Sequence, residues 1–420
     1  MNTIRFAVRH LSLADRKTLS RLDSLPKINY KKIDETRHLA KLNNMKRRNF
    51  LKNVSVAAAS LPAITMSACN SAPKSEFPPK KTPLPRRRGF NLLNMFLPIG
   101  NTFKGSGNYG LGPFQEEDFE IIKSWGFDFI RLPLCYWCWS DEHDWFRLDE
   151  KPLKQVDQAV EWGRQYGIHI NINFHRAPGY CVNPDPIIKP QTHLFRDEAP
   201  VEAFCYHWAH FAERYKNYSN DEVSFDLVNE PPSRMRDGYV KAMSAAIKAI
   251  RNVDPKRLIC VDGFKYGKES LNEFADIENF YQSARGYAPA ELTHFRAIWM
   301  PDHIKNFPEE HLKWPLYYKD KRYDKQYLRE MYKEGWDEWE KLGGSVHVGE
   351  MGCHNHTPAP IMQAWLKDLL DIYKERNWGW ACWRLRGPLG VIDSNRPQAK
   401  YENFRGAKLD REMLEILKQG

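Results

Sequence analysis

From residue 89 onward the chain alternates short β-branched and aromatic runs with longer stretches whose apolar positions recur at three- and four-residue spacing. Eight runs predict strands, over residues 89–93, 127–134, 169–174, 223–230, 258–263, 283–287, 346–351 and 379–384. Residues 153–166, 201–215, 239–253 and 361–373 carry the helical period. In the first of these Val156, Ala159, Val160 and Gly163 share a face, and Gly167 supplies the stop. Strands that alternate with helices predict a parallel sheet, and about 330 residues with eight such runs is the size of one α/β (β/α)8 TIM barrel with loop insertions. A doubly wound open sheet is the alternative. It is disfavoured because no Gly-x-Gly-x-x-Gly turn follows the first run, and because polar residues gather at the ends of many runs instead of at one crevice.

The segment before the barrel pattern divides into three. Residues 70–87 include Pro78-Pro79-Lys80-Lys81-Thr82-Pro83-Leu84-Pro85 and hold too few apolar residues for a core, so they read as an extended tether. Residues 45–69 join the charged start Met45-Lys46-Arg47-Arg48 to a short Ala- and Ser-rich apolar run that ends in Met66-Ser67-Ala68-Cys69. This resembles a twin-arginine export signal with a lipobox, and Cys69 is the expected lipid acceptor. The run is too short to span a membrane. An ordinary secretory signal with a chance cysteine is the alternative. Residues 1–44 show no apolar periodicity and read as an upstream extension of a start at Met45. The barrel, 88–420, is therefore expected outside the cytoplasm, in the periplasm or at the cell surface. It would be held to the membrane through Cys69 or, failing that, secreted.

Charge supports the same division. The chain carries a formal net charge of +10, but residues 1–68 hold 14 Lys and Arg against 4 Asp and Glu, and the remaining 49 and 49 cancel. A formally neutral body removes the main electrostatic argument for a nucleic-acid partner. The 14 Trp then need another use, and stacking on sugar rings is one, alongside ordinary core packing. Cys135 and Cys138 have the spacing of half a zinc site but no second pair follows, and Cys353-His354-Asn355-His356 has no further ligand at a familiar spacing. No metal and no cofactor is expected, and the chain is expected to act as a monomer.

Two glutamates end apolar β-type runs: Glu230 in Val-Ser-Phe-Asp-Leu-Val-Asn-Glu-Pro-Pro and Glu350 in Val-His-Val-Gly-Glu-Met-Gly. The carboxyl ends of barrel strands are where such folds keep their chemistry. Two carboxylates facing one pocket are what cleavage of a glycosidic bond requires, one to protonate the leaving oxygen and one to stabilise or attack the anomeric carbon. A bare glutamate ending a Val-rich strand would be costly without a use.

Taken in order, Arg88-Gly-Phe-Asn, Ile130-Arg131-Leu132-Pro133, Asn173-Phe174-His175, Asn229-Glu230-Pro231, Gly349-Glu350 and the Trp383 run resemble glycoside hydrolase family 5, the cellulase-like group of clan A. The resemblance spans the body from about Arg88 to the C-terminus. It implies a retaining hydrolase of O-glycosidic bonds acting by double displacement, with Glu230 as acid/base and Glu350 as nucleophile. It also implies that Asn229 and His175 bind sugar hydroxyls, that Arg131 keeps the nucleophile ionised, that Tyr287 hydrogen-bonds it, and that Trp383 floors a subsite. Structural readings stand beside these: an ion pair for Arg131, a loop cap for His175, core packing for Trp383.

Where the family commonly has His-x-Tyr near the end of the sixth strand, this chain has Arg285-Gly286-Tyr287. A permanent cation there changes the local pKa balance and the sugar contacts, so Arg285 is expected to read substrate. Its structural alternative is a pair with Asp262 or Glu291. With the ending Trp380-Ala-Cys-Trp-Arg-Leu-Arg-Gly-Pro-Leu-Gly-Val-Ile-Asp-Ser, this points to an uncommon branch. A β-glucan poly- or oligosaccharide is the first expectation, with mannan, xylan or exo-cleaved furanoside as alternatives. A catalytically silent glycan-binding barrel is the rival from another class, and the presence of both carboxylates argues against it. The choice between endo and exo action rests on the insertions at 181–200 and 295–323.

Overall fold

The computed structural model describes residues 84–96, 112–141, 144–182 and 192–420. Arg47, Arg48, Cys69 and most of the expected tether lie outside them.

Eight parallel strands close into a barrel: β1 (Arg88–Asn91), β2 (Phe129–Cys135), β3 (His169–Ala177), β4 (Val223–Asp226), β5 (Ile259–Asp262), β6 (Phe280–Gly286), β7 (Ser345–Met351) and β8 (Gly379–Cys382). Each pairs with the next in parallel, and β8 closes onto β1 through Arg88↔Trp380 and Gly89↔Ala381. The strands are buried along almost their whole length, which is why they read as continuous apolar runs. Seven helices of nine residues or more are described: α1 (Glu116–Ser124), α2 (Glu150–Tyr166), α3 (Glu198–Tyr215), α4 (Arg236–Arg251), α5 (Lys325–Lys341), α6 (Ala359–Glu375) and α7 (Arg411–Gln419). In α2 the Asp149 carboxylate accepts from the Lys151 N–H at one end, and Gly167, left-handed at φ 61°, ends the other.

Two boundaries differ from the pattern along the chain. β4 ends at Asp226, four residues before Glu230, and 227–230 continue as an irregular extension in which the Leu227 N–H still donates to the Cys260 carbonyl and the Asn229 N–H to the Phe174 carbonyl, each at 3.1 Å. β6 begins three residues earlier than its apolar pattern, just after Asn279 at φ 48°. The insertion at 295–323 carries a small hairpin, Leu316–Tyr318 against Lys321–Tyr323. Residues 183–191 of the other insertion lie outside the described residues.

Core packing fixes the mouth. Phe174 on β3 stacks on Trp208 of α3, with ring centroids 4.1 Å apart. Low in the barrel, His347 lies against Phe129 at 4.2 Å, and His169 bonds the Ser224 hydroxyl at 2.7 Å. Above this layer the inward residues become charged.

Candidate active site

Arg131, fully buried on β2, organises the floor. Its Nε donates to Asp226 at 2.8 Å, Nη1 to Glu350 at 2.8 Å and to Asn91 at 3.1 Å, and Nη2 to the Asn229 amide oxygen at 2.9 Å. A guanidinium suits this task because its donors are fixed in one plane and its charge is permanent.

Glu350 is aimed inward by an irregularity. The β7 register shifts between Val348 and Glu350 on the β6 side, a bulge that turns the following side chain. Gly349 sits at the shift because no side chain fits: a Cβ there would lie 2.4 Å from the Ser283 hydroxyl and 3.2 Å from Arg285 Nη1. The Glu350 carboxylate then accepts from Arg131 and, at 3.0 Å, from the Tyr287 hydroxyl. Burial and both glutamates push the Tyr287 phenol well up, so it remains a donor.

Glu230 adopts φ 45°, a left-handed backbone that a glutamate enters at a cost. Two bonds hold it there: its N–H donates to Asp262 at 2.7 Å, and its carbonyl accepts from the Tyr180 hydroxyl at 2.6 Å. Burial first, and then the charge of Glu350, push its carboxyl up to about 8, against the pull of Arg285. Asp226 is likewise pushed up to about 7, by burial and by Asp262.

Arg285 lies between the two glutamates. Its Nε donates to Glu230 at 3.0 Å, and its Nη2 approaches Glu350 at 3.4 Å. Nη2 also donates to Asn229 at 2.9 Å and to Asp262, while Nη1 donates to the Ser283 hydroxyl at 2.7 Å and the Ala284 carbonyl at 3.1 Å. All five N–H groups are thus engaged by the protein. The sequence suggested that Arg285 reads substrate; in the structure it is paired to Asp262, the alternative named with that expectation, and not to Glu291.

The remaining predicted residues surround this centre. The Asn229 amide oxygen accepts from both arginines, which fixes its orientation and leaves its Nδ2 without a partner among the described residues. His175 is buried beside Trp383, with centroids 5.4 Å apart, and Phe96 meets both rings edge-on. Burial, and then Arg131, Arg176 and Arg285, hold the His175 imidazole well below its ordinary pKa and so neutral. Trp383 is partly open, and its backbone N–H donates to the Met351 carbonyl at 2.7 Å. Asp226, Tyr180, Asn91 and Ser283 were not foreseen. Asp226 had a signal, since it is an acid inside an apolar strand.

Cys135 and Cys138 are buried, and burial pushes the Cys135 thiol up to about 12. Cys353, a free thiol, donates to the Leu292 carbonyl at 3.5 Å.

Two buried arginines are thus faced by Asp226, Glu230, Asp262 and Glu350 at the carboxyl end of a (β/α)8 barrel, the end at which such folds carry their chemistry. The family model for cellulase (glycosyl hydrolase family 5) matches residues 97–387, and the chain belongs to that family as a retaining glycosidase. It is 26% identical over 293 residues to endoglucanase C of Acetivibrio thermocellus, covering 64% of this chain and 83% of the relative. It is 25% identical over 265 residues to cellodextrinase A of Ruminococcus flavefaciens, covering 62% and 75%. A crystal structure described as a glycoside hydrolase superposes with a TM-score of 0.72 at 35% identity, over 80% of this chain and 99% of that one. The endoglucanase Cel5A of Thermotoga maritima shares the fold, with a TM-score of 0.60 at 23% identity over 79% and 96%.

Proposed function

We propose that this glycosidase cleaves a β-glucan-type poly- or oligosaccharide by double displacement, with Glu230 as acid/base and Glu350 as nucleophile. The observation that carries the reading is the unequal treatment of two carboxyls sharing one guanidinium. Glu230 is pushed up to about 8, suited to holding a proton at neutrality, while Glu350 is held in place by hydrogen bonds from Arg131 and Tyr287.

In the first step Glu350 attacks the anomeric carbon, the bond to the leaving oxygen breaks, and the Glu230 proton passes to that oxygen. In the second step Glu230 takes a proton from water, the water oxygen attacks the anomeric carbon, and the glycosyl ester breaks to return the Glu350 carboxylate. The free Nδ2 of Asn229 suits a sugar hydroxyl, neutral His175 suits another, and the open face of Trp383 suits a ring. With its donors occupied, Arg285 is a positioning residue for both carboxyls. The relatives named endoglucanase and cellodextrinase support a β-glucan substrate.

We further infer, from Arg47-Arg48 and Met66-Ser67-Ala68-Cys69, that the enzyme is exported and anchored through Cys69. Initial rates on cello-, manno- and xylo-oligosaccharides and on aryl furanosides test the substrate class. Cello-oligosaccharides should be cleaved fastest, and turnover of furanosides alone would overturn the glucan assignment.

A further inference from the structure

The insertion after β6 ends in a charged hairpin. From residue 311 to 322 the sequence holds Lys313, Lys319, Lys321 and Arg322 against a single acid, Asp320, in a body whose formal charge is zero. All four cations are exposed. Among the described residues only Arg322 of the four has a carboxylate partner, Asp324 at 2.5 Å, and the nearby Glu309 is already engaged by Arg296 at 2.7 Å.

The cations gather on aromatic rings instead. Lys313 and Arg322 lie over Tyr317 at 5.7 Å and 5.5 Å, and Lys319 lies over Tyr318 at 5.2 Å. Tyr317 faces Arg322 directly across the two strands and is 49% exposed, so cations border a ring that remains half open. Tyr317, Tyr318, Lys319, Lys321 and Arg322 line an open hollow of about 470 Å³. The tip is shaped at some expense in stability: Lys319 and Asp320 fill a two-residue turn with both φ positive, 47° and 59°, which Asn-Gly adopts most easily. A lysine there costs stability relative to glycine and keeps a cation at the rim.

The hairpin's place selects among anionic partners. It follows the carboxyl end of β6, on the barrel face that carries Glu230 and Glu350. The described chain starts at the opposite end, where the Leu84 N–H donates to the Ser345 hydroxyl at the start of β7. A hairpin that dips into a membrane presents aliphatic side chains, whereas here Leu316 is fully buried and Tyr317 is the one large hydrophobic exposed between residues 311 and 323.

We propose that this hairpin is a docking site, outside the active site, for a polysaccharide that bears carboxylates. Its cations meet the carboxylates, Tyr317 meets a sugar ring, and a chain held there lies on the barrel face that carries the two glutamates. The proposal goes beyond the catalytic reading, and binding is measured without turnover.

Affinity electrophoresis tests it with carboxymethyl cellulose and hydroxyethyl cellulose, which share a β-glucan backbone and differ in charge. The wild type should be retarded more by the carboxylated polymer, and the difference should shrink as salt is raised. Combining Lys313→Ser, Lys319→Gly and Arg322→Ser should lower affinity for the carboxylated polymer about tenfold and leave retardation by the neutral one as it was. Lys319→Gly alone should lose about twofold at an equal or higher Tm, because glycine accepts the turn, so a folding defect cannot imitate the result. Unaltered affinity for carboxymethyl cellulose in the combined variant, or an equal loss on both polymers, would overturn the docking site and leave the catalytic assignment untouched. So would stronger binding to phosphatidylglycerol vesicles than to carboxymethyl cellulose, which would mark a membrane-facing surface instead.

Discussion

The Nε of Arg285 donates to the Oε1 of Glu230 at 3.0 Å, so a permanent cation lies against the carboxyl proposed as the acid/base. That contact opposes protonation, yet burial and the charge of Glu350 outweigh it. Arg285 therefore opposes protonation of Glu230 while bridging the carboxyl groups of Asp262, Glu230 and Glu350.

Replacing Arg285 with Met should lower kcat/KM on every substrate by a common factor and move the alkaline limb of the rate profile to higher pH. It should cost about 3–5 kcal/mol of stability, the usual consequence of leaving buried charges without their partner. Denaturant unfolding and pH–rate profiles on two substrates check this. Selective loss on one substrate at full stability would return Arg285 to a sugar-reading role.

Glu230→Ala should reduce turnover of unactivated oligosaccharides by about 10²- to 10⁴-fold, the usual contribution of a general acid or base. Activated aryl glycosides should still form the covalent intermediate, and azide should restore its breakdown and appear in the product. Undiminished cleavage of polysaccharide would remove Glu230 from the role.

Stability should depend on pH in a defined direction. The folded-state pKa of Glu230, about 8, lies above the ordinary 4.5, so the folded protein keeps a proton that the unfolded chain releases. Stability is then greatest below the unfolded value and declines as pH rises through the window up to the folded value. Asp226, about 7 against 3.8, acts in the same direction. The urea midpoint should accordingly fall between about pH 5 and about pH 8, and Glu230→Gln should flatten part of that slope. A midpoint that rises across this window would contradict the placement of these acids.

The barrel was legible because parallel strands buried on both faces leave continuous apolar runs, and all eight appear within a few residues of their expected positions. The ends were less legible. The run through Glu230 looks like one strand, but the regular ladder ends at Asp226 and Glu230 itself turns left-handed, held by bonds from the Tyr180 hydroxyl and to Asp262, and neither partner is a sequence neighbour. The glutamates were readable as polar residues closing apolar runs, whereas Arg131 and Asn229 came only through the family resemblance. The setting of Arg285 was not readable, because its engagement depends on how β4, β5, β6 and β7 converge.

The export reading is checked on native material. Mass spectrometry should find a mature chain beginning at a lipidated Cys69 that partitions with membranes, and Cys69→Ser should release it into the soluble fraction. A soluble wild-type chain beginning elsewhere would leave no anchor.

The central claim is that Glu350 attacks sugar directly. Incubating the enzyme with a 2-deoxy-2-fluoro-β-cellobiosyl fluoride should stall the glycosyl ester, because the fluorine slows its hydrolysis, and peptide mass spectrometry should place one added glycosyl on Glu350. A label on another residue, or no label together with products of inverted anomeric configuration, would contradict the account.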